Sequence, residues 1–391
     1  MNTPWLTVIG IGEDGLEGLA PAVRTLVETA EVLVGGERHL SMVPGVAERH
    51  PWPSPFAEGK ALLDSLRGRN VVVLVSGDPL WFGAGATLGR WFPGELTVIP
   101  HVGAFSLAAA RLGWALHECL CLTAHGRPVE ALALHLAPGR RLLVLSEDRA
   151  TPAKVAALLA ERGFAPSTIT VLEHLGGPAE RVVDWREAQA DLNLVAVEVA
   201  ADRGTRALPL VPGLPDDAFT HDGQLTKREI RAVTLSTLAP LPGQLLWDVG
   251  AGCGSIAIEW MRAGGRAVAI EPHPARAAHI ARNAAFLGVP SLEIIQGLAP
   301  DVLPYTDPDA VFVGGGVSAP GLLEACWAAL KSGGRMVANA VTVEGEVALA
   351  AFRTSHGGEM TRLAVARLAP TGGFHTWHPA MPVTQWAGVK P

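Results

Sequence analysis

Short runs of apolar residues alternate along the chain with longer stretches in which Ala and Leu recur at helical spacing. This alternation is typical of α/β proteins, in which helices connect the strands of a sheet. In the first half, the pattern predicts the strands Leu6–Ile9, Val71–Val75, Leu96–Ile99, Leu142–Leu145, Thr168–Leu172 and Leu192–Val199. The segment Ala201–Pro215 then interrupts the pattern with three prolines and two glycines, a composition typical of a linker.

A second alternation of strands and helices follows this segment. The predicted helices are Lys227–Leu238, Ser255–Ala263, Pro274–Leu287 and Pro320–Lys331. The predicted strands are Gln244–Val249, Arg266–Ile270, Leu292–Ile295, Ala310–Val313 and Arg335–Ala338. Residues 362–367 and 382–389 are predicted to form an antiparallel hairpin that closes the sheet. We therefore predict two α/β domains, residues 1–205 and residues 209–391.

The composition is that of a folded protein, because 49% of the 391 residues are hydrophobic and 18% are charged. The formal net charge of −7 argues against a nucleic-acid partner, since surfaces that bind nucleic acid are basic. The four cysteines are too few and too scattered for a disulfide framework, which favours a reducing compartment. No stretch reaches the ~18 apolar residues of a membrane span, and the first residues lack a secretory signal. We expect a cytoplasmic protein without a membrane partner.

A glycine-rich loop, Gly250–Gly254, directly follows a predicted strand and precedes a predicted helix. Glycines at this place allow a sharp turn and a close approach of the backbone to a ligand. Glu271 follows at the end of the next predicted strand, where a carboxylate can bind both hydroxyls of a ribose. The spacing is G-x-G-x-G, as in class I methyltransferases that use S-adenosylmethionine, because the third glycine of the NAD fingerprint is replaced by Ser255. A tight strand–helix turn without a ligand is the alternative.

Several segments around this loop occur together in one known family. They are Leu225–Arg231, Trp247–Glu259, Val311–Gly316, Asn339–Thr342, His375–Pro379 and Pro382–Trp386. Residues 209–391 resemble the CbiT family, whose members methylate C15 of a corrinoid precursor and decarboxylate its C12 acetate. The resemblance implies cofactor contacts at Thr226, Gly250, Ala251, Gly252, Cys253, Gly254, Glu271, Gly297, Leu298 and Ala299. Asn339 and His375 are candidate catalytic residues at the decarboxylation site.

The first half carries a different set of loop motifs. They are Gly10-Ile-Gly12, Ser76-Gly-Asp-Pro79, His125-Gly-Arg127 and the segment Glu173–Arg181. Residues 5–200 resemble the CbiE family of tetrapyrrole C-methyltransferases, whose two α/β lobes hold S-adenosylmethionine between them. The resemblance implies cofactor contacts at Gly10, Gly12, Ser76, Gly77, Asp78, Trp81, Phe105 and Ser106. This sequence departs from the family at Glu13-Asp14 and at His101–Ser106.

A CbiE-like half followed by a CbiT-like half is the layout of the CobL family. This resemblance implies methylation of metal-free precorrin-6B at C5 and C15, decarboxylation to precorrin-8, and two S-adenosylmethionine sites per chain. It also implies a homo-oligomer, with a tetramer formed through the second domain as one form. The carboxylates of a tetrapyrrole call for basic residues, and the candidates are Arg127, Lys227, Arg228 and Arg231. We predict no metal site, because Cys119-x-Cys121 and His375-x-x-His378 lack nearby partners.

Three alternatives stay open at this point. The same fusion can act on cobalt-containing intermediates of the anaerobic route, which the sequence pattern separates poorly from metal-free ones. One domain can be degenerate and only bind a tetrapyrrole, as the altered loops of the first half suggest. The chain can also be an unrelated small-molecule methyltransferase.

Overall fold

A computed structural model describes residues 4–45, 47–188 and 190–391. The chain divides into two compact units, and the main break lies between Thr205 and Arg206, inside the predicted linker. The segment Glu130–Leu136 is an exception, because it precedes the break but belongs to the second unit. Leu134 of that segment packs against the apolar core of the second unit, which the sequence pattern did not predict.

The first unit contains two sheets and six helices among its described residues. Its strands are β1 (Leu6–Ile11), β2 (Val32–Gly35), β3 (Glu48–Pro51), β4 (Val71–Ser76), β5 (Leu96–Ile99), β6 (Cys119–Thr123), β7 (Arg141–Leu145), β8 (Thr168–Glu173), β9 (Arg181–Asp184) and β10 (Asn193–Glu198). Its helices are α1 (Pro21–Glu28), α2 (Glu37–Ser41), α3 (Gly59–Ser65), α4 (Gly85–Trp91), α5 (Ala104–Leu112) and α6 (Thr151–Glu161).

The two sheets of the first unit differ in strand direction. The first has the order β3-β2-β4-β1-β5 and is parallel throughout. The inner strands β1 and β4 are apolar and buried along most of their length, as expected when both faces of a parallel sheet are covered. The second sheet has the order β6-β7-β10-β8-β9 and is antiparallel except between β6 and β7.

The second unit contains one large sheet and one small one. Its strands are β11 (Leu245–Val249), β12 (Arg266–Glu271), β13 (Glu293–Gln296), β14 (Ala310–Val313), β15 (Arg335–Ala340), β16 (Glu359–Leu363), β17 (Ala366–Thr371), β18 (Phe374–Pro379) and β19 (Val383–Val389). Its helices are α7 (Arg228–Leu238), α8 (Ser255–Arg262), α9 (Pro274–Phe286), α10 (Leu322–Ala329) and α11 (Val343–His356). The α/β class predicted from the sequence is confirmed.

The large sheet has the order β13-β12-β11-β14-β15-β19-β16. The strands from β13 to β15 are parallel, and β19 runs antiparallel to both of its neighbours. Strand order reverses between β11 and β14, and such a point opens a crevice outside the carboxyl ends of the strands. Loops that follow these strands therefore form the natural binding site of the unit.

The end of the chain differs from the predicted hairpin. β16 and β19 do pair antiparallel, with Arg362 opposite Thr384. The residues between them, however, form a separate two-stranded sheet, β17–β18, instead of a short connection. Trp386 anchors β19, because its fully buried ring contacts Trp327 and Phe352 and its Nε1 donates to the Gly357 carbonyl at 2.9 Å. No helix among the described residues has the length and apolar character required to cross a membrane.

Candidate active sites

A cavity of about 780 Å³ lies at the carboxyl ends of β11, β12, β14 and β15 in the second unit. This volume is within the range of ~300–1,000 Å³ that is usual for small-molecule sites. The predicted residues that line it are Thr226, Lys227, Gly250, Ala251, Gly252, Glu271, Gly297, Leu298, Ala299 and Asn339. Cys253 and Gly254 do not line it, since the Cys253 side chain is buried in the apolar core.

The glycine-rich loop forms one wall because no side chain fits there. Gly250 has φ +71°, and a Cβ atom added to it would lie 2.7 Å from the backbone nitrogen of Gly315. Gly252 has φ +60°, a region that side chains rarely adopt. The loop after β11 and the loop after β14 therefore meet backbone to backbone. The result is a cradle that a ligand can approach closely.

Glu271 stands beside this cradle with a fixed carboxylate. Its Oε2 accepts a hydrogen bond from the Gly252 backbone N–H at 2.8 Å, and its Oε1 accepts one from His273 N at 3.1 Å. Nη1 of Arg276 lies 3.9 Å from Oε1, and Nε of Arg276 donates to Asp222 at 2.8 Å. The Glu271 carboxylate lines the cavity and can accept the hydroxyl hydrogens of a ribose. Arg276 lines the cavity as well, which the sequence did not predict.

Asp248 on β11 lies directly behind the cradle with one oxygen unsatisfied. Its Oδ2 accepts from Ala257 N at 2.9 Å, whereas its buried Oδ1 has no hydrogen-bond partner among the described residues. Burial raises the pKa of Asp248 to about 7, and the nearby charge of Glu271 acts in the same direction. Asp248 itself does not line the cavity, whereas the glycine cradle and the Glu271 carboxylate do, and these two features fit a ligand that carries a ribose, such as S-adenosylmethionine.

We expect Asp248→Asn to change how stability depends on pH. The folded-state pKa is raised above the unfolded value of 3.8, so wild-type stability is highest below pH 3.8 and falls as pH rises, until the folded carboxyl itself ionises near pH 7. Each tenfold change in the acid dissociation constant corresponds to ~1.4 kcal/mol, so the loss approaches about 4 kcal/mol. Glu271 and Cys253 are the ionisable groups that face Asp248. Urea unfolding between pH 4 and 8 should show the wild-type free energy falling relative to that of the variant, and parallel profiles would contradict this.

The structure places the basic residues predicted to bind substrate in different environments. Lys227 lines the cavity, but Arg228 is exposed and does not line it. The prediction for Arg231 is wrong, because its side chain is fully buried and its donors are used inside the protein. Its Nε donates to Glu259 Oε1 at 2.6 Å. Its other nitrogens donate to Asp216 and to the carbonyls of Thr226 and Leu214.

The small sheet β17–β18 brings two unpredicted residues to the cavity. His375 lies on the exposed strand β18 and does not line the cavity, whereas His378, three residues later, does. Of the two histidines on this strand, only His378 therefore lines the cavity, and His273 lines it from the loop after β12. Arg367 on β17 also lines the cavity, opposite His378 in register, and donates to Glu229 Oε2 at 2.6 Å. That hydrogen bond holds the pKa of Glu229 below its usual value.

In the first unit, the loops after β1, β4 and β5 converge. Gly77 has φ +55°, and its N–H donates to the Ile11 carbonyl at 3.0 Å. A Cβ atom on Gly10 would overlap the Gly77 carbonyl oxygen. A Cβ atom on Gly12 would crowd the Asp14 carboxylate and would lie 3.0 Å from Nε2 of His101. The structure thus places the predicted residues of these loops at the carboxyl ends of the parallel strands.

Ser76 belongs to a polar cluster that the sequence did not predict. Its Oγ lies 2.9 Å from Nη2 of Arg38 and 2.8 Å from Nε2 of His39. Burial and the neighbouring Arg38 lower the pKa of His39 to about 4, so the imidazole is neutral near pH 7. Glu13 forms an ion pair with Arg38, and its Oε2 lies 3.2 Å from Nδ1 of His174. The departure from the family at Glu13 therefore has a structural role.

Three aromatic rings gather beside the Gly77–Asp78 turn. The ring of Phe105 lies 6.0 Å from that of Trp81 and 5.9 Å from that of Phe82. The guanidinium carbon of Arg127 lies 5.9 Å from the centre of the Phe82 ring. Trp81 and Phe82 are about half exposed, and Ser106 is exposed on α5 beside Phe105. The structure brings together the predicted residues Trp81, Phe105, Ser106 and Arg127. Within the ranges that the structure describes, no group of three or more His, Cys, Asp or Glu residues is arranged to hold a metal ion.

Comparisons with known proteins give matches to both units. The family model described as Tetrapyrrole (Corrin/Porphyrin) Methylases matches residues 6–191, and that described as Precorrin methyltransferase domain matches residues 217–390. The chain is 49% identical to the precorrin-6Y C(5,15)-methyltransferase [decarboxylating] of a Sinorhizobium species, over 99% of this chain and 97% of that one. It is 44% identical to the protein of the same name from Mycobacterium tuberculosis, over 98% of this chain and 100% of that one. A crystal structure of the C-terminal domain of the Rhodobacter capsulatus protein is 44% identical, covers 47% of this chain and all of that one, and has a TM-score of 0.44.

Proposed function

Because the chain belongs to the family of decarboxylating precorrin-6Y C5,15-methyltransferases, we propose that it converts precorrin-6B, the precorrin-6Y of its relatives' names, to precorrin-8. The reaction adds methyl groups at C5 and C15 and removes the carboxyl group of the C12 acetate. The observation that carries this proposal is the end-to-end identity of 49% with a relative of that name. The chain is a C-methyltransferase that uses S-adenosylmethionine in the biosynthesis of cobalamin.

We assign one methylation to each domain. Residues 1–205 would methylate C5, and residues 209–391 would methylate C15 and remove the carboxyl group. The match of a tetrapyrrole methylase model to residues 6–191 and of a precorrin methyltransferase model to residues 217–390 supports this division. With one site in each domain, the chain would hold two S-adenosylmethionine sites.

In the second domain, the chain's own groups would bind and orient the reactants. When bound, S-adenosylmethionine supplies a methyl group already activated by the sulfonium. Gly250 and Gly252 would let the backbone approach it, and Glu271 would accept from its ribose. The segments around Thr226 and Gly297–Ala299 would complete the cofactor contacts.

The tetrapyrrole would be held by the cationic side of the same cavity. Lys227 lines it and can pair with a substrate carboxylate, and Arg367, whose Nη2 donates to Glu229, keeps its other N–H groups for a second one. Alignment of an electron-rich ring carbon with the methyl group is the main requirement of this reaction, so positioning is the chief contribution of the protein. We propose Asn339 as the polar group beside the carboxylate that is lost.

In the first domain, the cofactor would lie on the loops at the carboxyl ends of β1, β4 and β5. The candidate contacts are Gly10, Gly12, Ser76, Gly77, Asp78, Trp81, Phe105 and Ser106. Arg127 lies near the aromatic group and would pair with a substrate carboxylate. Glu13, which departs from the family, pairs with Arg38 at the edge of these loops, so the departure does not by itself argue for a degenerate domain.

The decisive experiment is a mass spectrum of metal-free precorrin-6B after incubation with the full chain and S-adenosylmethionine. We expect a gain of two methyl groups and the loss of one carboxyl group. A gain of one methyl group would assign the first domain to binding alone. If precorrin-6B is unchanged but its cobalt complex is fully converted, the enzyme acts in the anaerobic route.

We also propose that the chain self-associates through β17–β18. Every residue of β18 is exposed, including Phe374 and Trp377, which are 81% and 66% exposed. Exposed apolar side chains on a two-stranded sheet are typical of a surface covered by another chain. Light scattering after gel filtration should give an oligomer for the wild type and a smaller species for Trp377→Glu. A monomeric wild type would exclude this proposal.

A further inference from the structure

Asn339 is held in the cavity wall by two neutral side chains from different elements. It lies near the end of β15, directly opposite Gln385 on β19, and it packs under Thr234 of α7. Thr234 is fully buried and Gln385 is 3% exposed, whereas Asn339 lines the cavity. The Asn339 side chain is therefore the part of this polar group that a ligand can reach.

The hydrogen bonds fix which end of the Asn339 amide is available. Gln385 Nε2 donates to Asn339 Oδ1 at 2.9 Å, and Asn339 Nδ2 donates to Thr234 Oγ1 at 3.0 Å. Thr237 Oγ1 lies 3.1 Å from Gln385 Oε1 and 2.9 Å from the Val233 carbonyl, so its one hydrogen is shared between these two acceptors. An amide nitrogen carries two hydrogens, and Thr234 uses one of them. Asn339 Oδ1 already accepts from Gln385 inside the wall, and the second N–H of Nδ2 has no partner among the described residues, so it is the donor that Asn339 can offer to a carboxylate.

We propose that Thr234 and Gln385 are positioning residues that hold the Asn339 N–H towards the substrate carboxylate that is lost as CO₂. This inference rests on the proposed function of the second domain. The inference adds Thr234 and Gln385 to the site, although neither touches the substrate. It also defines the orientation of the Asn339 side chain.

The chemistry favours an uncharged donor at this place. In the step, the bond between the acetate CH₂ and its carboxylate breaks, and its electron pair enters the macrocycle. CO₂ leaves, and the CH₂ carbon takes up one proton that derives from water, so the acetate becomes a methyl group. Negative charge leaves the carboxylate on the way to the transition state, so an ion pair with Arg or Lys would stabilise the ground state more. A single neutral N–H can instead fix the rotation of the carboxylate and align the breaking bond with the macrocycle.

The test compares Asn339→Ala, Thr234→Val and Gln385→Met in the full chain, with precorrin-6B as substrate and CO₂ release as the readout. We expect kcat to fall about 100-fold in Asn339→Ala and about tenfold in each of the other two, with KM changed less than about twofold. Gln385 Nε2 also donates to Thr234 Oγ1 at 3.1 Å, and both of its bonds in this group lead to Asn339. In the Asn339→Ala background, Gln385→Met should therefore have no further effect on kcat. Binding of S-adenosylmethionine and the melting temperature show whether each variant is folded.

Thr384→Val is the matched control. Thr384 is the preceding residue of the same strand, is also buried, and donates to Glu346 at 2.8 Å instead of to Asn339. It should lower the melting temperature and leave kcat unchanged.

Three outcomes decide the inference. Unchanged kcat in both Thr234→Val and Gln385→Met, with an active wild type, would overturn it. An equal fall of kcat for Gln385→Met with and without Asn339 would also overturn it, since that pattern indicates a general structural defect. A wild type that releases no CO₂ from precorrin-6B would instead reject the proposed function.

Discussion

Replacement of Glu271 by alanine should remove the cofactor site of the second domain and leave the other one intact. The variant loses the acceptor for ribose hydroxyls and also the bond that ties Gly252 N–H to the cradle. Hydrogen bonds to a charged group contribute ~1.5–3 kcal/mol each, so affinity should fall at least about 100-fold. Calorimetric titration with S-adenosylmethionine should change from two sites per chain to one. Product formed from precorrin-6B should then lack the C15 methyl group.

Glu293→Ala provides the control for this prediction. Glu293 is exposed at the start of β13, the strand beside β12, and it does not line the cavity. It should keep both sites. Two sites of wild-type affinity in Glu271→Ala would contradict the assignment of Glu271.

Replacement of Arg231 by methionine should produce the largest loss of stability in the second unit. Arg231 and Glu259 are both buried, and the Glu259 carboxylate also accepts from the backbone N–H groups of Gly213 and Leu214. Removal of one partner from such a pair leaves a buried charge and costs ~3–5 kcal/mol. Thermal unfolding should show a correspondingly large fall of the melting temperature of this unit.

Two further variants test the cause. Arg231→Met combined with Glu259→Gln removes both charges, keeps a side-chain acceptor for the N–H groups of Gly213 and Leu214, and should recover much of the lost stability. Arg228→Met, three residues earlier on the exposed face of α7, should change the free energy of unfolding by less than ~0.5 kcal/mol. A double variant less stable than Arg231→Met would show that the buried charge is not the source of the loss.

The cradle could be predicted from the sequence because its determinants are local. A buried strand, a run of glycines and a helix follow one another directly, and the acidic residue stands at the end of the next strand. Backbone conformation requires glycine at Gly250, so the pattern carries its own physical reason. Residues near it that line the cavity, such as Thr226 and Gly297, were found through the family resemblance.

The cationic side of the cavity could not be predicted in the same way. Arg367 and His378 reach the site only because β17–β18 returns from a distant part of the chain. Arg231 shows the opposite error, since a basic residue on a helix gives no sign that Glu259 lies beneath it. In the first unit, β3 was missed because its residues, Glu48–Pro51, are polar and largely exposed and lack an apolar alternation.

The position of β19 in the large sheet has a consequence for the synthesis of the protein. β19 follows the other strands in sequence, yet it lies between β15 and β16 and carries the fully buried Trp386. Until residues 383–389 have left the ribosome, β15 keeps an apolar edge with unpaired backbone groups, and β16 has no strand to join. Such edges are prone to wrong pairing, so this unit should rely on chaperones while it is being made. A nascent chain stalled before residue 383 would also lack Gln385, and would therefore be incompletely folded and catalytically silent at the same time.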